Sequence, residues 1–277
     1  MNLRIFTIIV LLVLPPAFAE TGRITSNPVP GGIVLVDLGQ QTDRPPLVKF
    51  GQYPILVQAI KNRWYAIVGI SATMLPGSYI LTISDPEEES ISKRFRVLPL
   101  DAEHAQRTRI LPESMVSVPL TLDESDLAEL NMGDSDRVFD NFNFDFVSPV
   151  QPRFLIPYGI LVNPEESGSS VNHFALTYLV KPDSLVYAPA AGEIALIGEL
   201  SDGRKVTVIQ HAESLFSVLI NISDVVVEQG QQVTQNELIG ASQSSILNGL
   251  ARLDWGIILN GALIDPMMLT SSPDLLF

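Results

Sequence analysis

Between Gly31 and Leu98 the hydrophobic positions gather into short β-runs at residues 33–38, 55–60, 64–68, 79–83 and 93–97, with turn formers such as Pro76-Gly77 between them. Runs of this length, rich in β-branched and aromatic residues and bounded by turns, each predict a strand. Short strands at this spacing, with no helical run among them, predict a small antiparallel β-sandwich of the immunoglobulin-like kind over residues 20–98. No catalytic constellation stands out in it.

The pattern then changes twice. Residues 99–149 are acidic and polar, with a short helix predicted around Glu124 to Leu130 and phenylalanines at 139, 142, 144 and 146. Rings two residues apart on an extended chain share a face. They predict packing on a neighbouring domain, so this segment reads as a connector. Residues 150–269 return to β-runs punctuated by Gly192, Gly198, Gly203, Gly230, Gly240, Gly249, Gly256 and Gly261, the residue type that tolerates the backbone of tight turns. A second, mostly β domain is expected there, with residues 270–277 as a tail. Trp255 is expected in its core, and Trp64 and Tyr65 in the core of the first domain.

The first residues fit neither domain. Arg4 precedes an apolar stretch from Ile5 to Leu14, then Pro15-Pro16 and Ala17-Phe18-Ala19, the three-part pattern of a cleavable signal peptide over residues 1–19. The stretch is shorter than the about 20 apolar residues of a membrane span. The expected product is an exported, soluble chain in the periplasm or at the cell surface, not an integral membrane protein after cleavage. The sequence has no cysteine, which suits a bacterial envelope better than a disulfide-built secreted scaffold. A formal net charge of −14 argues against nucleic acid as a partner.

The second half also carries a recognisable order of motifs: Tyr158-Gly159, His173, Ala190-Ala191-Gly192-Glu193-Ile194, Val208-Ile209-Gln210-His211, Gly230-Gln231-Gln232-Val233, Leu253-Asp254-Trp255-Gly256, and Asp265-Pro266 after the Asn260-Gly261 turn. This order resembles the lysostaphin-type, or LytM-like, zinc metallopeptidases that cut peptidoglycan. The resemblance implies a LytM-like β domain (duplicated hybrid motif) over residues 150–269, and the first domain resembles the accessory module that precedes it in some exported members.

The resemblance also says where a zinc ion would be held. A hydrolytic zinc needs three protein ligands and an open position for water. The family's His-x-x-x-Asp falls on His173 and Thr177, so a neutral hydroxyl replaces the carboxylate. Its His-x-His falls on Arg252 and Asp254, and a guanidinium does not give up its proton. A third family histidine, outside the ligand set, falls on Asn221, whose amide cannot act as acid or base near neutral pH. His211 is not among the family's zinc ligands and is expected to be structural or at the surface. The chain is therefore expected to be a pseudoenzyme without a cofactor, with degenerate metal positions at His173, Thr177 and Asp254.

What the resemblance implies about function is an exported regulator of peptidoglycan hydrolysis. It would bind a peptidoglycan amidase, or another wall-remodelling protein, through the vacated groove lined by His173, Thr177, Asn221, Arg252 and Asp254. A second reading is a module that binds peptidoglycan or its peptides without cutting. A third is an altered zinc endopeptidase using His173, Asp254 and His211, with zinc as its cofactor. A lipoyl-type carrier fails for lack of a lysine at a hairpin tip, since Lys181 precedes Pro182 and Lys205 begins a β-run.

Overall fold

The structure, a computed structural model, describes residues 24–85, 88–100, 110–112, 142, 144–151, 154–163, 171–200, 202–243 and 249–270. The expected signal peptide, the expected helix near 124–130, Phe139 and residues 271–277 lie outside the described residues.

The first half is a two-sheet β-sandwich. One sheet has Arg63–Gly69 between Ile33–Gln40 and Leu56–Ile60. The other runs Tyr53–Pro54, Leu47–Phe50, Gly77–Asp85, Glu88–Val97. Every pairing is antiparallel. Val34, Val36, Ala66, Val68, Leu81 and Phe95 fill the space between the sheets. The first sheet is apolar on its other face too, where Ile33, Leu56 and Ile67 join the core of the second half. Trp64 and Tyr65 are half-buried at the rim of this sheet rather than inside either core; the Trp64 indole N–H donates to Thr42 Oγ1 at 3.2 Å.

The second half is built on a long antiparallel sheet. Its strand order is Gln232–Val233, Gly192–Glu199, Lys205–Ala212, Leu215–Ile220, Ala251–Leu259, Leu176–Val180, Phe154–Ile156, with Ala262–Ile264 pairing back on Ala251–Leu259. All nine residues of Ala251–Leu259 are buried, because both faces of this central strand are covered. Leu253, Trp255 and Ile257 enter the core shared with the first half, while Ile258 packs with Val206, Val208, Phe216 and Val218 on the other side. A smaller sheet of Leu185–Tyr187, Leu238–Ser242 and Ile222–Ser223 lies beside it. Among the described residues there is no α-helix, and none long and apolar enough to cross a membrane.

Two expectations change. Gly203, Gly230, Gly249 and Gly261 do sit in turns at positive φ, but Gly192, Gly198, Gly240 and Gly256 lie within strands. A Cβ on Gly192 would come within 2.4 Å of the Gln210 carbonyl oxygen, and one on Gly240 within 2.7 Å of Ile222. Close approach of a neighbouring chain excludes a side chain there. The connector, for its part, is joined to the second half at both ends. Ile110–Pro112 adds in parallel to Ile160–Asn163, and Phe146 is fully buried against the His211 ring, centroids 4.9 Å apart and nearly perpendicular. Of the four phenylalanines, Phe144 and Phe146 are in the core and Phe142 packs against it.

Candidate functional site

His173 ends the strand Val171–His173, and a two-residue turn at Phe174 and Ala175 leads directly into Leu176–Val180. The turn brings His173 and Thr177 together, with 2.8 Å between His173 Nε2 and Thr177 Oγ1. Across the next pairing Thr177 stands directly opposite Asp254, and its hydroxyl donates to Asp254 Oδ1. Arg252, two residues back on the same strand and so on the same face, donates from Nε to Asp254 Oδ1 at 2.8 Å. Asn221 sits just past the neighbouring strand Leu215–Ile220 at φ +70°. Its amide reaches Asp254 Oδ2 at 3.5 Å. The five residues singled out in the sequence therefore meet, and Asp254 is their centre.

The exposure of these residues decides what they can touch. His173, Thr177 and Asp254 have no accessible surface, and Arg252 keeps 8 %. Asn221 is half-buried. The first three make the floor of the site, and only Arg252 and Asn221 reach its rim.

The proton positions follow from counting donors. The Thr177 hydroxyl has a single proton, directed at Asp254, so the bond between His173 and Thr177 uses the proton on His173 Nε2. Burial pushes the His173 imidazole down to about 4, against the pull of the Asp254 carboxylate, and the Arg252 charge adds to the fall. Burial alone would raise the Asp254 carboxyl; Arg252, His173 and Thr177 outweigh it and hold the group below its usual range. The site is thus a neutral imidazole, a hydroxyl and a carboxylate compensated by a guanidinium.

This donor set does not fit a hydrolytic zinc. Its ligand-type side chains are His173 and Asp254, one short of the required three. The ring nitrogen facing the site holds a proton where coordination needs a lone pair, and Arg252 places a permanent positive charge beside it. Among the described residues no group of three or more His, Cys, Asp or Glu side chains is placed to hold a metal ion.

His211 lies outside this cluster and is structural. Its Nδ1–H donates to the Ala191 carbonyl at 2.8 Å, and its Nε2 is 2.8 Å from Ser217 Oγ. Trp255 Nε1 donates to the same hydroxyl at 3.1 Å. Burial pushes this imidazole down to about 4 as well. Ser217 was not singled out in the sequence, because a bulge between Gln210 and Ala212 re-aims the His211 ring in a way alternation does not reveal. A separate cleft of about 200 Å³ between the two halves is lined by Gly31, Tyr158, Asn172, Phe174, Asp265 and Met267 among others. None of the five site residues lines it.

Comparison with known proteins agrees with this division. Residues 26–99 match the peptidase family M23 N-terminal domain, and residues 171–266 match peptidase family M23. No match is found among curated proteins. A crystal structure of a protein described as an M23 peptidase from Pseudomonas aeruginosa is similar over 91 % of this chain and 98 % of that one, with 27 % identity and a TM-score of 0.63. Csd3 of Helicobacter pylori covers 79 % of this chain and 76 % of its own, at 15 % identity and TM-score 0.39. The catalytic domain of lysostaphin from Staphylococcus simulans covers 40 % and 84 %, at 19 % identity and TM-score 0.32.

Proposed function

From the premise that this chain belongs to peptidase family M23, whose N-terminal and peptidase domains both match it, we infer that it is a non-catalytic, metal-independent member. It acts outside the cytoplasm by binding a wall-remodelling protein, with a peptidoglycan amidase as the expected partner. The observation that carries the reading is the ion pair between Arg252 and Asp254. A permanent cation stands inside the family's metal position, so no route to an activated water is built from these residues. The contact surface is then the rim, where Arg252 and Asn221 emerge, while His173, Thr177 and Asp254 shape the floor beneath them. Cleavage after Ala19 and delivery to the periplasm or cell surface belong to the same proposal.

The test is to add the purified chain from residue 20 onward to a peptidoglycan amidase acting on dye-labelled sacculi. Faster dye release with the amidase, and none from the chain alone, supports the reading. Dye release by the chain alone overturns it. Co-sedimentation with sacculi and no effect on the amidase replaces it with the wall-binding reading.

A further inference from the structure

The outer sheet of the first half turns one face inward and the other to water. Val48, Leu81, Ile83, Phe95 and Val97 belong to the core of the sandwich, so alternation sends Leu47, Lys49, Ile80, Arg94 and Arg96 to the opposite face. Ile80 pairs directly with Arg94, and Lys49 with Thr82, two residues along from Ile80. All five are exposed, Leu47 and Ile80 by more than half. The outward positions beside them are Ser78, Thr82 and Ser92, none of them acidic. No hydrogen bond or ion pair holds Lys49, Arg94 or Arg96 among the described residues. Three cations without an anion are unexpected in a chain whose acidic residues outnumber its basic ones by 31 to 17. The second half does not reach this face, because it packs on the other sheet of the sandwich through Ile33, Leu56 and Ile67.

The second half carries a face of the opposite sign. In its smaller sheet Val186 and Ile239 are fully buried, so their neighbours Leu185 and Leu238 point outward. Val226 lies along the other side of the strand that holds Leu238, its N–H donating to the Ile239 carbonyl at 3.1 Å. Leu185 and Val226 are more than half exposed, and Leu238 more than a third. Asp183, Asp224 and Glu228, each two residues from Leu185 or Val226, are exposed as well, and Lys181 is the nearest cation along the chain. The bias extends to the whole half: residues 150–269 hold twelve acidic and five basic residues, against seven and eight in residues 20–98. Each face therefore sets exposed aliphatic side chains beside charges of one sign, and the two signs are opposite.

We propose that these two faces bind each other between copies of the chain, the outer sheet of one copy meeting the smaller sheet of the next. Lys49, Arg94 and Arg96 then stand opposite Asp183, Asp224 and Glu228, and the aliphatic side chains of the two faces leave water together. The contact joins different patches of the two copies, so it either closes into a ring of copies or extends. In both cases one intact face of each kind is enough to join two chains. At physiological ionic strength, where the Debye length is about 8 Å, the repulsion between two chains of net charge −14 is largely screened beyond contact range, while opposite charges in contact still attract. The five residues around Asp254 take no part, so this inference and the non-catalytic reading stand or fall separately.

The experiment follows the chain from residue 20 onward by sedimentation velocity, from micromolar to several hundred micromolar. Three forms are compared: wild type, Arg94→Glu with Arg96→Glu, and Leu185→Thr with Val226→Thr. All four positions are exposed, so both variants are expected to melt as the wild type does. Wild type is expected to associate as its concentration rises. Each variant alone should need about tenfold more protein or greater to do so, through the loss of two charge contacts or of the apolar centre. An equimolar mixture of the two variants is the decisive sample. The first keeps its smaller-sheet face and the second its outer-sheet face, so together they should form a one-to-one pair that grows no further. Wild type that stays monomeric at every concentration overturns the proposal. Association that survives undiminished in either variant also overturns it, because the contact then lies elsewhere, and so does a mixture in which both variants remain monomeric.

Discussion

Asn260, in the turn after the central strand of the second half, donates its side-chain amide to the backbone carbonyl of Ile67 in the first half at 2.8 Å. Its Oδ1 accepts from Ser214 Oγ at 3.2 Å, and its φ of +55° suits an asparagine turn. Beside it Gly69 lies so close that a Cβ would come within 2.5 Å of the Leu259 carbonyl oxygen. The contact is therefore closely packed and continuous with the shared core. The two halves are expected to unfold together. The chain has two tryptophans, Trp64 in one half and Trp255 in the other, so Trp64→Phe and Trp255→Phe each leave a reporter for one half. Denaturant midpoints read from the two variants should coincide once each is corrected for its own stability change. Asn260→Ala should lower the unfolding free energy read by both reporters by about 1–3 kcal/mol, through the buried hydrogen bonds it removes.

The connector's aromatic arm makes a second expectation. Phe146 is fully buried against His211 and Trp255, and Phe144 keeps only 6 % exposure. Phe146→Ala should cost about 3–5 kcal/mol in equilibrium unfolding, the range for emptying an aromatic site in a core. Phe142 is only half-buried, so Phe142→Ala should cost less. Equal, small losses at both positions would mean that the arm is only loosely held.

Much of this was legible in the sequence because it depends on local composition and spacing. Residues 33–38 and 64–68 are short runs of strand-forming residues, and both lie within strands that pair in the structure. Arg252 and Asp254 share a face because residues two apart on a strand do so. Leu47–Phe50 and Tyr53–Pro54 were not anticipated, since two- and four-residue strands flanked by Pro45-Pro46 and Gly51 carry too little pattern. The pairing of Thr177 with Asp254 was not legible from alternation either, because register between strands 77 residues apart is a tertiary property. Nor did the sequence indicate that His173, Thr177 and Asp254 would be sealed from solvent. That depends on the layers that close over both faces of the sheet.

The ion pair makes a prediction about stability that is independent of metals. Arg252→Leu leaves the Asp254 carboxylate buried and unpaired, and should cost about 3–5 kcal/mol. Asp254→Leu should cost less, because Arg252 retains some exposure and can turn its charge toward water. Replacing both with leucine removes the two charges together and should recover most of the loss. Urea unfolding of the four proteins gives the coupling directly. Strictly additive losses would show that the two side chains do not stabilise each other.

Acid should weaken the fold through His173 and His211, the two buried histidines among the described residues, and the sign follows from their burial. Each imidazole falls from the ordinary value of 6.5 to about 4 in the folded state, so the native state binds protons less readily than the unfolded chain. The stability this represents is fully present above pH 6.5 and is lost as the pH falls from 6.5 to about 4, as much as about 3 kcal/mol per histidine. Asp254 adds nothing in that window, because its lowered value places its loss below the ordinary carboxylate range near 3.8. Urea unfolding between pH 7 and 4.5 should show a slope approaching about 2.7 kcal/mol per pH unit where both histidines titrate only in the unfolded chain. His211→Gln should halve that slope even though it lowers stability at pH 7, and His173→Gln should do the same. A slope that survives both substitutions would assign the acid sensitivity to other groups.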